Sequence, residues 1–242
     1  MLGITNAQIV SGEQPFVPPD DKTYIFVTIP KSYFVSMSLY ILKSNTATLS
    51  IDWGDGGTVE TNSNSGSINL SHSYAAIGDY VIKMWISSGT GTYTLGHNTT
   101  TDSLFGGSGA ATRRFATKIY IGANTVIAQY ALQDSRSLEI ISVYSGITSI
   151  GERAFYNCYN IDEIILPSTI TSIGDYAFNT GDYAPFTLKI YATTPPPIAS
   201  NVFNSTAKNY LTKIYVPAAS LDAYKTATNW SVYANYMEAI EE

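Results

Sequence analysis

Three short segments repeat at one fixed interval. They are Ile127-Ala-Gln-Tyr-Ala-Leu132, Ile150-Gly-Glu-Arg-Ala-Phe155 and Ile173-Gly-Asp-Tyr-Ala-Phe178, and each first isoleucine lies 23 residues after the last. A second ladder runs in phase, because Phe115, Leu138 and Ile161 are also 23 residues apart. Self-similarity at a period of 20 to 50 residues marks a chain built from stacked units. One such unit cannot bury its apolar face alone, so it must pack on copies of itself. The inward positions of the ladder (Ile127, Ile150, Ile173, Ala131, Ala154 and Ala177) are therefore expected to be core.

The array occupies residues 115–217, where each unit reads as a strand, a turn, the I-x-x-x-A-[FL] signature and a polar turn. A longer insert, Gly181-Asp-Tyr-Ala-Pro-Phe186, interrupts the third interval. A fourth signature, Ile198-Ala-Ser-Asn-Val-Phe203, then starts 25 residues after Ile173. Residues 218–242 read as a helical cap over the open end of the array. Ser220 is the expected N-cap and Asp222 lies in the first turn, while Leu221, Tyr224, Trp230, Tyr233, Met237 and Ile240 form an apolar stripe.

Upstream, residues 22–96 alternate as strands do. The expected strands are 23–29, 33–41, 47–53, 67–70, 79–86 and 92–95, separated by turn-rich segments, which suggests a β-sandwich. Gly54, Gly56 and Gly57 suit a tight turn, and Trp53 is expected to bury its ring. Residues 1–21 contain several prolines and read as an extended arm or linker. Residues 97–114, rich in small side chains, read as a junction that caps the first coil.

Two resemblances follow from these residues. Ile51-Asp-Trp-Gly-Asp-Gly56, then His72-Ser-Tyr-Ala75, then Gly78-Asp-Tyr-Val-Ile-Lys-Met84 resembles the polycystic kidney disease (PKD) domain pattern. That resemblance implies an immunoglobulin-like sandwich over residues 22–96. Ile147-Thr-Ser-Ile-Gly-Glu-Arg-Ala-Phe-Tyr-Asn-Cys-Tyr-Asn-Ile-Asp-Glu-Ile-Ile-Leu-Pro167 resembles the signature of the BspA-like leucine-rich repeat family, with Ile161 in place of a leucine. The tail, Tyr191-Ala-Thr-Thr-Pro-Pro-Pro197 through Tyr224 and Trp230, is similar to the usual ending of that family. The fold expected is mainly β: a PKD-like sandwich, then a short leucine-rich-repeat solenoid with a C-terminal helical cap. The second resemblance further implies a surface-exposed bacterial protein linked to adhesion and to binding of host proteins or glycans.

Composition narrows the chemistry. Charged residues make up only 13%, the net charge is −6, and the sole basic pair is Arg113-Arg114, so binding to nucleic acid through phosphates is disfavoured. No apolar run is long enough to span a bilayer, and residues 1–8 lack the pattern of a signal peptide. The lone cysteine, Cys158, allows no internal disulfide, and the leucine-rich-repeat resemblance implies that it faces inward. His72 and His97 are the only histidines, and no H-E-x-x-H, G-x-S-x-G or phosphate-cradling glycine pattern occurs. The expectation is a non-enzymatic protein with no cofactor. Asp52, Asp55 and Asp79 carry oxygens of the kind calcium takes. The loop spacing of a calcium site is missing, and turn formation explains Asp52 and Asp55 more simply.

The candidate binding residues are Tyr144, Tyr156, Tyr159, Tyr176 and Tyr191, which stand outside the apolar signature. Tyrosine is amphipathic and enriched at recognition surfaces, though the same positions suit half-buried packing of coil edges. Glu152, Asp162, Glu163 and Asp175 would give a solvated acidic face that selects a basic partner. Three functions fit. The first is a cell-surface recognition or adhesion protein that takes a protein or glycan ligand on the repeats. The second is a bacteriophage virion or tail-associated protein whose N-terminal arm docks on a larger assembly. The third is an accessory carbohydrate-binding module.

Overall fold

Alternation decides the first half of the chain. In Thr23-Tyr-Ile-Phe-Val-Thr-Ile29, the side chains of Ile25, Val27 and Ile29 share one face of an extended backbone. The computed structural model describes residues 20–30, 36–96, 103–106, 111–180, 185–203 and 207–241. Residues 1–19 of the expected arm (1–21), 33–35 of the expected strand 33–41, 97–102 and 107–110 of the expected junction (His97 among them) and 181–184 of the expected insert lie outside the described residues. The described chain is mainly β.

The first half contains β1 (Thr23–Ile29), β2 (Ser36–Lys43), β3 (Thr48–Asp52), β4 (Glu60–Asn62), β5 (Gly66–Ser73), β6 (Gly78–Ser88) and β7 (Tyr93–Leu95). Strands β1, β6, β3 and β4 are antiparallel neighbours in one sheet, and β5, β2 and β7 lie in a second. Ile25, Ile51 and Met84 of the first sheet and Leu39, Ile41 and Leu70 of the second belong to a common buried core. Strand β4 was not expected from sequence, since its Glu-Thr-Asn triplet has no apolar residue; pairing with Leu49–Ile51 of β3 supplies it.

The second half contains β8 (Ala116–Ile121), β9 (Thr125–Val126), β10 (Ile140–Val143), β11 (Ser149–Ile150), β12 (Glu163–Leu166), β13 (Ser172–Ile173), β14 (Phe186–Ile190), β15 (Leu211–Val216) and β16 (Met237–Ala239). Here the 23-residue period becomes parallel pairing. Ile119 lies opposite Ile141, then come Ile164, Leu188, Ile214 and Met237 in turn, and all six are buried. On the far side of each coil Ile127, Ile150 and Ile173 are in register. Between these two rows the signature aromatics stack. Phe155 and Phe178 are 5.9 Å apart, Phe178 and Phe203 are 5.4 Å apart, and Tyr233 meets Phe203 edge-on at 4.9 Å. Phe203 of the drifted fourth signature thus rejoins the stack. The sheet then continues across the halves, because β8 pairs antiparallel with β1. The complete order is β16-β15-β14-β12-β10-β8-β1-β6-β3-β4.

The C-terminal segment differs from the continuous helix expected. Only Leu221–Thr226 is α-helical, Ser231–Tyr236 is a 3-10 helix, and Met237–Ala239 is strand β16. Ser220 makes no side-chain cap bond, and the chain leaves the helix at Ala227, which is extended. Tertiary partners override the helical spacing. The Tyr224 hydroxyl donates to the Ala192 carbonyl (2.9 Å), the Trp230 indole N–H to that of Pro196 (2.7 Å), and the Asn229 amide to that of Ile198 (2.7 Å). Met237 then pairs with Ile214 at the edge of the sheet.

The glycine of the signature is set by coil spacing. A Cβ on Gly151 would lie 2.5 Å from the Gln129 nitrogen, and one on Gly174 would lie 2.5 Å from the Glu152 nitrogen. Both distances are too short for any side chain. The first signature carries Ala128 instead, where no repeat coil precedes it. Gly151→Ala should therefore cost about 1–3 kcal/mol through forced backbone movement. That is a fall of roughly 2–12 °C in the thermal midpoint for a chain of this size. Ala128→Gly should cost about 1 kcal/mol or less. An unchanged midpoint for Gly151→Ala, measured by circular dichroism, would contradict the close packing.

Candidate binding surface

Each coil turns outward after its buried isoleucine, and the turn is held by the next coil. The Tyr130 N–H donates to the Glu152 carbonyl (3.0 Å), and the Arg153 N–H to that of Asp175 (2.8 Å). To aim these N–H groups along the stack, Tyr130, Arg153 and Tyr176 adopt positive φ of 61°, 52° and 56°. Such backbones cost about 1–3 kcal/mol each and persist where neighbours over-determine them. Asp134 and Asn157 repeat the device four residues later, with φ of 61° and 59°. Their short polar side chains tolerate that region better.

The residues at this repeat position form one line. The Arg153 guanidinium lies 5.1 Å from the centre of the Tyr176 ring and 5.9 Å from that of Tyr130. It also donates to the Tyr130 hydroxyl (3.3 Å) and pairs with Glu152 (2.6 Å). Gln129 donates to the other Glu152 oxygen (3.0 Å), and Asn201 reaches Asp175 (3.5 Å). The result is a half-buried strip of tyrosine, arginine and tyrosine in which the arginine's charge is already paired with Glu152. Tyr130 and Arg153 were not among the residues expected from sequence. The signal was present, since 130, 153 and 176 share the 23-residue spacing, but the change of residue type hid it.

The five expected tyrosines fall into two groups. Tyr156, Tyr159 and Tyr176 lie on the turn side of the coils, between or after β11 and β13. Tyr159 is half-buried with Arg136 5.2 Å above its ring, and Tyr156 is half-buried beside Arg153. Tyr144 and Tyr191 directly follow β10 and β14, so both stand at the C-terminal ends of strands in the large sheet. Tyr144 is half-buried, and burial followed by the charge of Asp20 holds its hydroxyl above the usual tyrosine range. Tyr191 is 44% exposed.

The outward face of the parallel strands carries a second set. Glu163 pairs with Lys189 (2.8 Å), Lys189 sits 5.9 Å from the Tyr215 ring, and Lys213 pairs with Glu238. Ile140 and Ile165 occupy the same face, half-buried. Asp162 and Asp175 are exposed, while Glu152 and Glu163 each hold a cation, so the four expected carboxylates do not form one acidic cluster.

The remaining candidates are engaged locally. Asp52 accepts the Gly54 N–H (2.9 Å) and pairs with Lys83 (3.1 Å). Asp55 accepts the Gly57 N–H (3.0 Å) and meets His72 (2.9 Å), and Asp79 accepts the Thr28 hydroxyl (2.7 Å). The Gly57 N–H is the main reason that the Asp55 carboxyl sits below its usual range. Among the described residues no three His, Cys, Asp or Glu side chains gather as metal ligands. The His72 ring stacks on Trp53 at 5.0 Å and lies edge-on to Tyr74 at 4.8 Å. Arg113 is buried and paired with Asp134 (3.0 Å), which removes it from any surface basic patch. No helix among the described residues is long and apolar enough to cross a membrane.

Residues 116–227 match the BspA type leucine rich repeat region, in six copies. The match exceeds the four signatures read from sequence and runs into the segment that carries Tyr224. No curated protein matches the chain.

Cys158 faces inward. It is fully buried, its thiol donates to the Leu132 carbonyl (3.1 Å), and burial pushes its pKa up to about 12. A group with so high a pKa stays protonated, and therefore unreactive, at pH 8. The native protein should resist alkylation by iodoacetamide at that pH and take up one equivalent once unfolded in denaturant. Stoichiometric labelling of the native protein would show that Cys158 is open to solvent.

Proposed function

We propose that this chain is a non-enzymatic recognition or adhesion protein that works at a cell surface or outside the cell. In this reading the repeats form a leucine-rich solenoid whose outward positions bind a protein or glycan. The observation that carries it is the match of residues 116–227 to BspA type repeats, a class built from interaction repeats rather than catalytic ones. The outward strips support it, because they combine aromatic rings with paired charges over successive coils. Amphipathic rings of this kind give large contact area at low entropic cost. Residues 22–96 are then a PKD-like sandwich at the head of the solenoid, and Tyr144, Tyr156, Tyr159, Tyr176 and Tyr191 are its ligand contacts.

Within that set the open ring of Tyr191 and the arginine-stacked ring of Tyr176 are the two to test first. Arrays of glycans and extracellular-matrix proteins should show saturable binding by the whole chain. Tyr191→Ala and Tyr176→Ala should each weaken it about tenfold or more, as expected for an aromatic anchor at an interface. Their thermal midpoints should stay near that of the parent chain. Absence of binding above background, or wild-type binding by both variants, would remove the basis of the reading.

A further inference from the structure

The first coil of the array has an apolar flank that no earlier repeat covers. Ile119, Ala131 and Leu132 are nevertheless fully buried. What buries them is the first half of the chain. Ile25 of β1 lies opposite Ile119 of β8, and β7 pairs in parallel with β9, with Tyr93 opposite Thr125. Leu104, also fully buried, bridges the two halves through its backbone. Its N–H donates to the Ala131 carbonyl (2.8 Å), and its own carbonyl accepts the Tyr40 N–H (2.8 Å).

Polar groups at the same seam are buried and mutually satisfied. The Tyr93 hydroxyl donates to Thr23 Oγ1 (2.7 Å), which also meets Thr125 Oγ1 (2.9 Å) and accepts the Gly122 N–H (3.0 Å). Separating the halves would exchange these bonds for bonds to water, at a net cost of about 1 kcal/mol for each. Gly122 is required there, because a Cβ would lie 2.5 Å from the Lys22 carbonyl carbon. Farther along, the buried ion pair of Arg113 and Asp134 ties the segment before β8 to the first turn. Two sheets, one core and a polar lock thus cross the boundary, where a hinge between independent domains would leave few contacts.

We propose that residues 20–96 are the N-terminal cap of the repeat array, and that the two halves fold and unfold as one unit without a hinge between them. A terminal cap is what a stacked array needs at each end. Residues 217–241 close the other end through Tyr224, Trp230 and Tyr233. A ligand held on the coils would therefore keep a fixed orientation relative to the first half.

The chain supplies its own reporters, because Trp53 and Trp85 lie in the first half and Trp230 in the far cap. In urea, the fluorescence of Trp230→Phe reports the first half, and that of the double variant Trp53→Phe, Trp85→Phe reports the cap. Introducing Gly122→Ala into both backgrounds should lower the two midpoints by the same amount. A shift of one midpoint alone would overturn the proposal. If the Gly122 variant does not fold, calorimetry on the wild-type chain decides. One transition with equal calorimetric and van't Hoff enthalpies supports a single unit. Two transitions, or a calorimetric enthalpy well above the van't Hoff value, would overturn it.

Discussion

One apolar row runs through eight neighbouring strands, and the rest of the molecule is arranged around it. Its members are Ile82, Ile25, Ile119, Ile141, Ile164, Leu188, Ile214 and Met237, each opposite the next. Seven are fully buried or nearly so, and Met237, at the edge, is 4% exposed. Burying each such side chain is worth about 1.5–3 kcal/mol. The larger effect is on register. Because side chains alternate along a strand, a slip of one residue would turn a whole strand's apolar set outward. The row therefore fixes each coil against its neighbour.

Register in turn fixes what faces solvent. With the isoleucines inward, the alternate residues Glu163, Lys189, Lys213 and Tyr215 must point outward on the same strands. On the opposite side, the close approach at Gly151 and Gly174 brings successive turns near enough for Arg153 to lie between two tyrosine rings. The turn strip and the strand strip are thus consequences of one packing arrangement. Arg153 and Glu152, Lys189 and Glu163, and Lys213 and Glu238 pair within the chain, so under the proposed function these strips would offer shape, aromatic surface and hydrogen bonding more than net charge.

Periodic features were legible in the sequence, and pairwise ones were not. The 23-residue spacing alone places Ile127, Ile150, Ile173 and the alanines inward, the family resemblance adds Cys158, and alternation alone bounds strand β1. The pairing of β1 with β8 was invisible, because it joins segments about 90 residues apart that share no motif. The ending misled for a related reason. Trp230, Tyr233 and Met237 have near-helical spacing, yet they serve three different contacts, namely a carbonyl of the Pro-rich segment, the ring of Phe203 and the sheet edge. The candidate tyrosines rest on residue type and repeat position. Type alone does not say that Tyr176 is covered on one side by Arg153, whereas Tyr191 stands open.

The row runs unbroken where β1 meets β8, with Ile25 opposite Ile119. Residue-resolved hydrogen exchange on the wild-type protein tests it most directly, because it reports the opening free energy of each strand separately. Amides of β1 and β8 should exchange with the same free energy and the same denaturant dependence as those of β12 and β14. Exchange of β1 and β8 through a separate, lower-energy opening, with β12 and β14 still protected, would contradict the account.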